Sequence, residues 1–431
     1  MKSNAIRCAV AFLGAVALSA HAATEAEIQA SFNPYKGGFP SAPGIQQGLV
    51  INKGNVEQFK DAMVPEVAEL VKKGDLEIRV GASHSAPYPK VYIDASVKNA
   101  GKAKISANGG HLDGYETGRP FPGEPSTSDP EAGLKIAWNH LYSLEVPDDI
   151  RISRFLWDYK DMKSGRVNRS VTYDTFLKSV LHRTVQPPEK LGDGAGGFFQ
   201  YTLLQVLDPP DLRNTALLLG VFDDQSKFDD GQLYLGFQRR VRRITTSNVT
   251  DPFLGSNMMI EEFHGYNGRV TDMKWKYLGT KNVLMPFYVH TEAKLDDARK
   301  FPDWTYTAYH GQGNCHVDAP WSLRKVYVLE MTPVDPGHPI SKRILYIDAE
   351  SYFASVNITY DRKGELWKEY IQGVGHPDGE AAETKKFGLW TWDAGSVIDL
   401  QAQQCTTYAM NTRIEETPMN VYNLSYLRSL Q

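Results

Sequence analysis

A mainly β protein, built on one large curved antiparallel sheet with an N-terminal helical part, is what this 431-residue sequence predicts. Three observations carry that prediction. From Phe198 onward, ten short runs place apolar residues at alternate positions. The runs are joined mainly by short turns, which suits antiparallel neighbours. With 22 Tyr, 18 Phe and 8 Trp the chain can bury a large core. A sheet of ten strands curls or closes instead of lying flat.

The chain opens on a different pattern. Lys2 and Arg7 are the only charges before Glu25, residues 8–18 are apolar or glycine, and Ala20-His21-Ala22 follows. A basic start, a short apolar run and a small-x-small exit make residues 1–22 a predicted signal peptide, with cleavage after Ala22. The run is shorter than the ~20 residues a membrane span needs. Loss of Lys2 and Arg7 moves the formal charge from −4 to −6, which argues against bulk nucleic-acid binding. The expected location is the periplasm, with no transmembrane segment in the mature chain. Residues 23–431 are expected to form one large domain, since no Gly/Ser or Pro-rich linker interrupts them. In an oxidising compartment Cys315 and Cys405 are most simply a disulfide, two free buried thiols being the alternative.

Between the signal and the strands, Val56, Phe59, Met63, Val67, Leu70 and Val71 predict helix over Asn55–Lys73, split at Pro65. Leu76–Val80 alternates as a strand. Asp129-Pro130 starts a second helix with Leu134, Trp138 and Leu141 on one side. The ten strands are expected at Phe198–Leu207, Ala216–Phe222, Gln232–Leu235, Arg239–Thr245, Lys274–Leu278, Val283–Val289, Arg324–Met331, Arg343–Asp348, Phe353–Tyr360 and Leu366–Gln372. Asp361-Arg362-Lys363-Gly364 makes the last two a hairpin. A final helix follows Thr417-Pro418.

Motifs of nucleophilic, phosphate-binding or zinc-dependent catalysis do not occur. Gly192 to Gly197 is glycine-rich but precedes a strand, so it offers no helix N-terminus to a phosphate. His310, His316 and Asp318 have the atom types of a metal site, at a spacing that matches no metal motif. Arg239–Arg243 holds four arginines in five residues. Paired with Glu261, Glu262, Asp223 or Asp224 they form a salt-bridge ladder; unpaired, Arg240 and Arg242 are an anionic-headgroup site at a sheet edge.

These residues also resemble a family. Tyr88-Pro89 before an Asp-Ala strand-like run, Gly114-Tyr115, Gly118-x-Pro120-Phe121-Pro122, Asp129-Pro130-x-Ala132-Gly133 and Trp138-Asn139-His140 match it in order. So do Arg239–Arg243, Trp275-x-Tyr277-Leu278-Gly279, Arg324–Glu330, Asp348-x-Glu350, Tyr360-Asp361 and Gly364-x-Leu366-Trp367. Over Val50–Gly373 the chain is similar to the family of domain of unknown function 1329, grouped with the LolA/LolB-like lipoprotein-localisation carriers. That resemblance implies an incompletely closed barrel with helices across its concave face, where acyl chains are held. It implies an RND-type transporter as a possible partner, and neither catalytic residues nor a cofactor. The first functional expectation is a carrier for a lipid or other hydrophobic molecule. Its ligand-binding residues are Arg240, Arg242, Trp275, Tyr277, Phe287, Tyr327 and Trp367, with Ile371 beside them. The alternatives are an enzyme on such a molecule, using His310, His316 and Asp318, and an accessory subunit of an envelope transporter.

Overall fold

The computed structural model describes residues 24–143, 148–186, 191, 194–244 and 249–430. The predicted signal segment lies outside them. None of the helices among the described residues is long and apolar enough to cross a membrane.

Fourteen strands form the main sheet. In chain order they are β1 (Asp149–Asp161), β2 (Val167–Ser179), β3 (Phe198–Asp208), β4 (Ala216–Phe222), β5 (Asp230–Leu235), β6 (Arg240–Ile244), β7 (Met273–Met285), β8 (Phe287–Tyr288), β9 (Ser322–Pro333), β10 (Ile340–Asp348), β11 (Ala354–Asp361), β12 (Leu366–Gly375), β13 (Thr391–Asp399) and β14 (Gln404–Arg413). Their spatial order is β6-β5-β4-β3-β2-β1-β14-β13-β12-β11-β10-β9-β7, all antiparallel, with β8 adding a short parallel pair to β12. The predicted hairpin is β11–β12, with Gly364 at φ +80° in its turn. The end strands β6 and β7 do not pair with each other, so the barrel stays open.

Curvature follows from one comparison. β4 and β12 are six strand spacings apart, about 29 Å in a flat sheet. Leu219 on β4 and Tyr370 on β12 nevertheless line the same small cavity. The sheet therefore wraps around it, and the face carrying these residues is concave.

Four of the fourteen strands were not expected, and they form the middle of the sheet: β1, β2, β13 and β14. Their alternation is broken. A bulge lies between Ile152 and Phe155, where Arg154 takes φ +51°, and another between Ala409 and Asn411. Every residue of β13 is buried, polar ones included. A strand covered on both faces shows no apolar/polar period. The segment after Pro89, expected as strand-like, is instead helix α3 (Lys90–Asn99), following α1 (Glu25–Ser31) and α2 (Pro65–Lys73). Its Tyr92, Ser96 and Asn99 face inward at helical spacing, but two of the three are polar.

Pro65 does start α2, at a first-turn position where its missing N–H costs nothing. The helix ends at Gly74, φ +86°. Its expected place is corrected. Tyr360 Oη donates to Glu66 of α2, and Glu369 lies under the same helix, while Tyr370 faces the cavity. Neighbouring strand residues point to opposite faces. So α2 packs on the convex side. Helix α4 (Ala132–Ser143) does cross the concave side. Its Ile136 packs with Tyr266, Tyr327 and Leu329, and its Trp138 and Tyr142 with Phe199 and Val221. It thereby bridges the two open ends. Gly133 permits the contact with β7, because a Cβ there would sit 2.7 Å from the Trp275 carbonyl oxygen.

Residues 286–320 cover the rest of the convex face, where Trp304 and Tyr306 pack on Ala394 and Ala409. The Cys315–Cys405 disulfide, Cα–Cα 6.1 Å, fastens this layer to β14. Helix α5 (Leu424–Ser429) is preceded by a 3-10 turn at Met419–Val421, as the Thr417-Pro418 signal predicts. Tyr422 and Leu427 there pack on Tyr234 and Val241 of β5 and β6.

Candidate functional site

The concave face is walled by alternate residues of seven adjacent strands. Phe155 and Trp157 come from β1, Leu177 from β2, Leu204 from β3, Leu219 from β4, Tyr370 from β12, Trp392 from β13, and Tyr408 and Met410 from β14. Across them lies the irregular segment 249–270, contributing Met258, Phe263, His264 and Asn267. The space enclosed is about 40 Å³, room for roughly three waters. Three of its polar groups are turned on one another, while Thr175 Oγ1 is buried there without a hydrogen-bond partner. Tyr370 and Tyr408 Oη donate to Gln372 Oε1 at 3.1 and 2.9 Å, and Gln372 Nε2 donates to the Gly373 and Ala394 carbonyls. What faces the void is mostly aromatic ring and aliphatic carbon.

Two buried ion pairs pin the covering segment. Arg343 on β10 meets Glu261 at 2.5 Å, and Lys368 on β12 meets Glu262 at 3.2 Å. Burial works to raise the Glu261 carboxyl, but Arg343 and His338 outweigh it and leave it below its usual value. These are the two glutamates expected to pair with Arg240 and Arg242, so that ladder does not form. Asp223 is taken by His182 and Tyr142, and Asp224 by Ser226 and Lys227.

His264 sits at the bend of the segment with φ +58°, a conformation that strains a non-glycine residue. Its ring stacks on Trp392 at 4.2 Å. Burial, with a smaller contribution from His140, lowers it to about 3, so it is neutral. His264 and Asn267 also border a second void of about 10 Å³, space for one water, beside His140 and Trp275.

The residues expected to bind ligand are mostly elsewhere. Trp275 lines only the smaller void, with its indole N–H on the Val270 carbonyl. Tyr277 is half-buried on the edge strand and hydrogen-bonds Thr280. Tyr327 packs on Tyr352 under α4. Phe287 lies beneath the Arg324 guanidinium, which Asp348 and Glu350 neutralise in full burial. The half-buried Trp367 donates to Asp399, and Ile371 faces away from the cavity. Arg240 and Arg242 are exposed on β6. His310 and His316 pair across a short hairpin of two-residue strands, with His316 lowered by burial to about 3. Neither they nor Asp318 belong to a three-ligand metal cluster among the described residues. Phe155, Trp157, Trp392 and Tyr408 of the cavity sit on the unexpected strands, and Tyr370 on the expected β12. The signal for them was Phe155-x-Trp157-x-Tyr159 and Thr406-x-Tyr408-x-Met410, each a short run of alternation.

The model of the family described as protein of unknown function, DUF1329, matches residues 50–427. The chain belongs to the DUF1329 family. An uncharacterized protein from Pseudomonas aeruginosa is 27% identical over 329 residues, 74% of this chain and 68% of that protein. Among solved structures, a putative outer membrane lipoprotein-sorting protein domain from Vibrio parahaemolyticus is 19% identical. It aligns over 70% of this chain and 100% of its own, with TM-score 0.48. A DUF1329 protein from Desulfovibrio piger is also 19% identical, over 69% of this chain and 99% of its own, with TM-score 0.47. LolA-superfamily proteins are among the other structural neighbours of this DUF1329 chain.

Proposed function

We propose that this DUF1329 protein is a periplasmic carrier or binding protein for a lipid or another hydrophobic molecule. The observation that carries the reading is the aromatic cavity between the concave sheet and segment 249–270. Apolar clefts with a few self-satisfied polar groups are where β folds hold such ligands. At about 40 Å³ the void is smaller than an acyl chain, so loading requires segment 249–270 to move off the sheet. Met258 and Met410 supply side chains that repack readily around a guest. Each methylene buried contributes ~0.8 kcal/mol, so about ten reach micromolar affinity before ordering costs. The basic-then-apolar start of the chain and the disulfide both favour an exported, oxidising location.

The test is extraction of the periplasmic protein with organic solvent, followed by titration of the stripped protein with a fluorescent fatty acid. A co-purified lipid and saturable binding are expected. Absence of both removes the carrier reading. The small void then favours the second reading, an accessory subunit docking on an envelope transporter, with an RND-type transporter as the partner.

A further inference from the structure

We propose that the open corner of the sheet where β5 turns into β6 is a docking surface for an anionic membrane. Phe237 stands at the tip of that turn, 66% exposed, more than any other large apolar side chain described. Around it are exposed Arg239, Arg240 and Arg242. The neighbouring turn adds Leu207 and Arg213: a Cβ on Gly236 would lie 2.6 Å from the Arg213 carbonyl, and Arg213 Nε donates to the Leu207 carbonyl at 3.0 Å. Leu207 is itself exposed.

Charge at this corner runs against the chain as a whole. The full sequence carries −4, yet Arg239 and Arg240 have no carboxylate partner among the described residues, and Arg242 meets only the amide oxygen of Gln238. The acidic groups nearby, Asp208 and Asp211, are engaged by Arg213 and Arg169. Edge-strand charges alone are explained as protection against edge-to-edge pairing. An exposed phenylalanine at the tip of the same edge is not, because it adds the apolar surface such protection avoids. An aromatic ring flanked by arginines matches the boundary of a bilayer, where the ring enters the headgroup layer and guanidiniums meet phosphates.

At the far end of the same hairpin, away from this corner, the edge strand also comes near the cavity wall. A Cβ on Gly231 would touch Ile244 at 3.2 Å and Leu219 at 3.3 Å. Without one, those two side chains meet over β5, and the cavity wall continues to the edge strand. The docking surface stands independently of what the cavity carries.

The full mature chain should sediment with vesicles of equal parts phosphatidylcholine and phosphatidylglycerol, much less with phosphatidylcholine alone, and should be released by salt. Phe237→Ala should weaken binding roughly tenfold. Arg240→Ala and Arg242→Ala should each weaken it about fivefold. Phe228→Ala changes an equally apolar, exposed ring at the other end of β5 and should leave binding unchanged. Equal binding to both vesicle types, no binding, or equal loss in Phe228→Ala and Phe237→Ala each overturns the proposal. So does a dimer in solution that Arg240→Ala or Phe237→Ala dissociates, which would assign the corner to a second copy of the chain.

Discussion

On its convex face the sheet carries two long stretches of chain, residues 45–80 with α2 and residues 286–320 with the Cys315–Cys405 bond. On its concave face the irregular segment 249–270 and helix α4 do the covering. The convex layer is closed by a covalent link and by buried groups such as His290, which stacks on Trp304 at 3.9 Å and meets Asp393 at 3.1 Å. The concave layer is held by the Glu261–Arg343 and Glu262–Lys368 pairs and leaves a void. A face sealed by its own chain has a structural role. A face covered by a segment with little regular structure and two ionic anchors is the one through which the proposed carrier would exchange its contents.

The largest effect expected is on the convex side. Replacing Cys315 and Cys405 with serine opens a loop spanning 90 residues, which the chain-entropy model values at about 4.5 kcal/mol. Denaturant unfolding should show that loss with fatty-acid binding intact. A stability loss accompanied by altered binding would break the division between the faces.

Next comes the anchor. Arg343→Leu leaves Glu261 buried without its main cation and should cost about 3 kcal/mol. Here the stability loss should come with faster uptake of a fluorescent fatty acid, because the covering segment is released. Unchanged uptake kinetics would mean the segment is not the entrance.

A third effect appears with pH. Glu369, fully buried under α2, is raised to about 8 by desolvation and then by Glu66. Burial alone would lower His290, but Asp393 outweighs it and raises it to about 9. Both pKa values are higher folded than unfolded, so the folded state binds more protons and stability falls as pH rises. For Glu369 the fall runs from near its ordinary value up to about 8, and for His290 from 6.5 to about 9. Each contributes a slope of about 1.4 kcal/mol per pH unit within its window. Unfolding curves of Glu369→Gln should be flatter between pH 5 and 8 by about that slope. A variant as pH-dependent as the parent would show that this carboxyl is already ionised when folded.

The smallest effect belongs to β6. Arg240→Ala and Arg242→Ala should change stability by less than about 0.5 kcal/mol, as exposed positions do. A loss of several kcal/mol would restore the buried ladder in place of an open edge.

Legibility in the sequence followed periodicity. Strands such as β3, β4, β11 and β12 are legible as compact apolar-rich runs, and the Asp361–Gly364 turn between β11 and β12 by its glycine. The central strands β1, β2, β13 and β14 bury polar groups on both faces, Asp393 and Ser396 on the convex side and Thr175 on the concave side, or carry bulges, and so lose the period. Phe155, Trp157, Trp392 and Tyr408 went unrecognised with them. Conversely, Phe287, Trp367 and Tyr277 have the right character for a ligand wall but point to the convex side or the rim.

The sequence by itself determined the fold class, the open sheet with its helical N-terminal part, the Cys315–Cys405 pairing as the simplest choice and the family. These depend on local period, on composition and on ordered motifs. Only the tertiary structure decided which face each residue serves, that Glu261 and Glu262 answer Arg343 and Lys368 instead of Arg240 and Arg242, and where the void lies. The reason is that β1 pairs with β14 across some 250 residues of chain, and contacts made by such pairings leave no trace in local sequence.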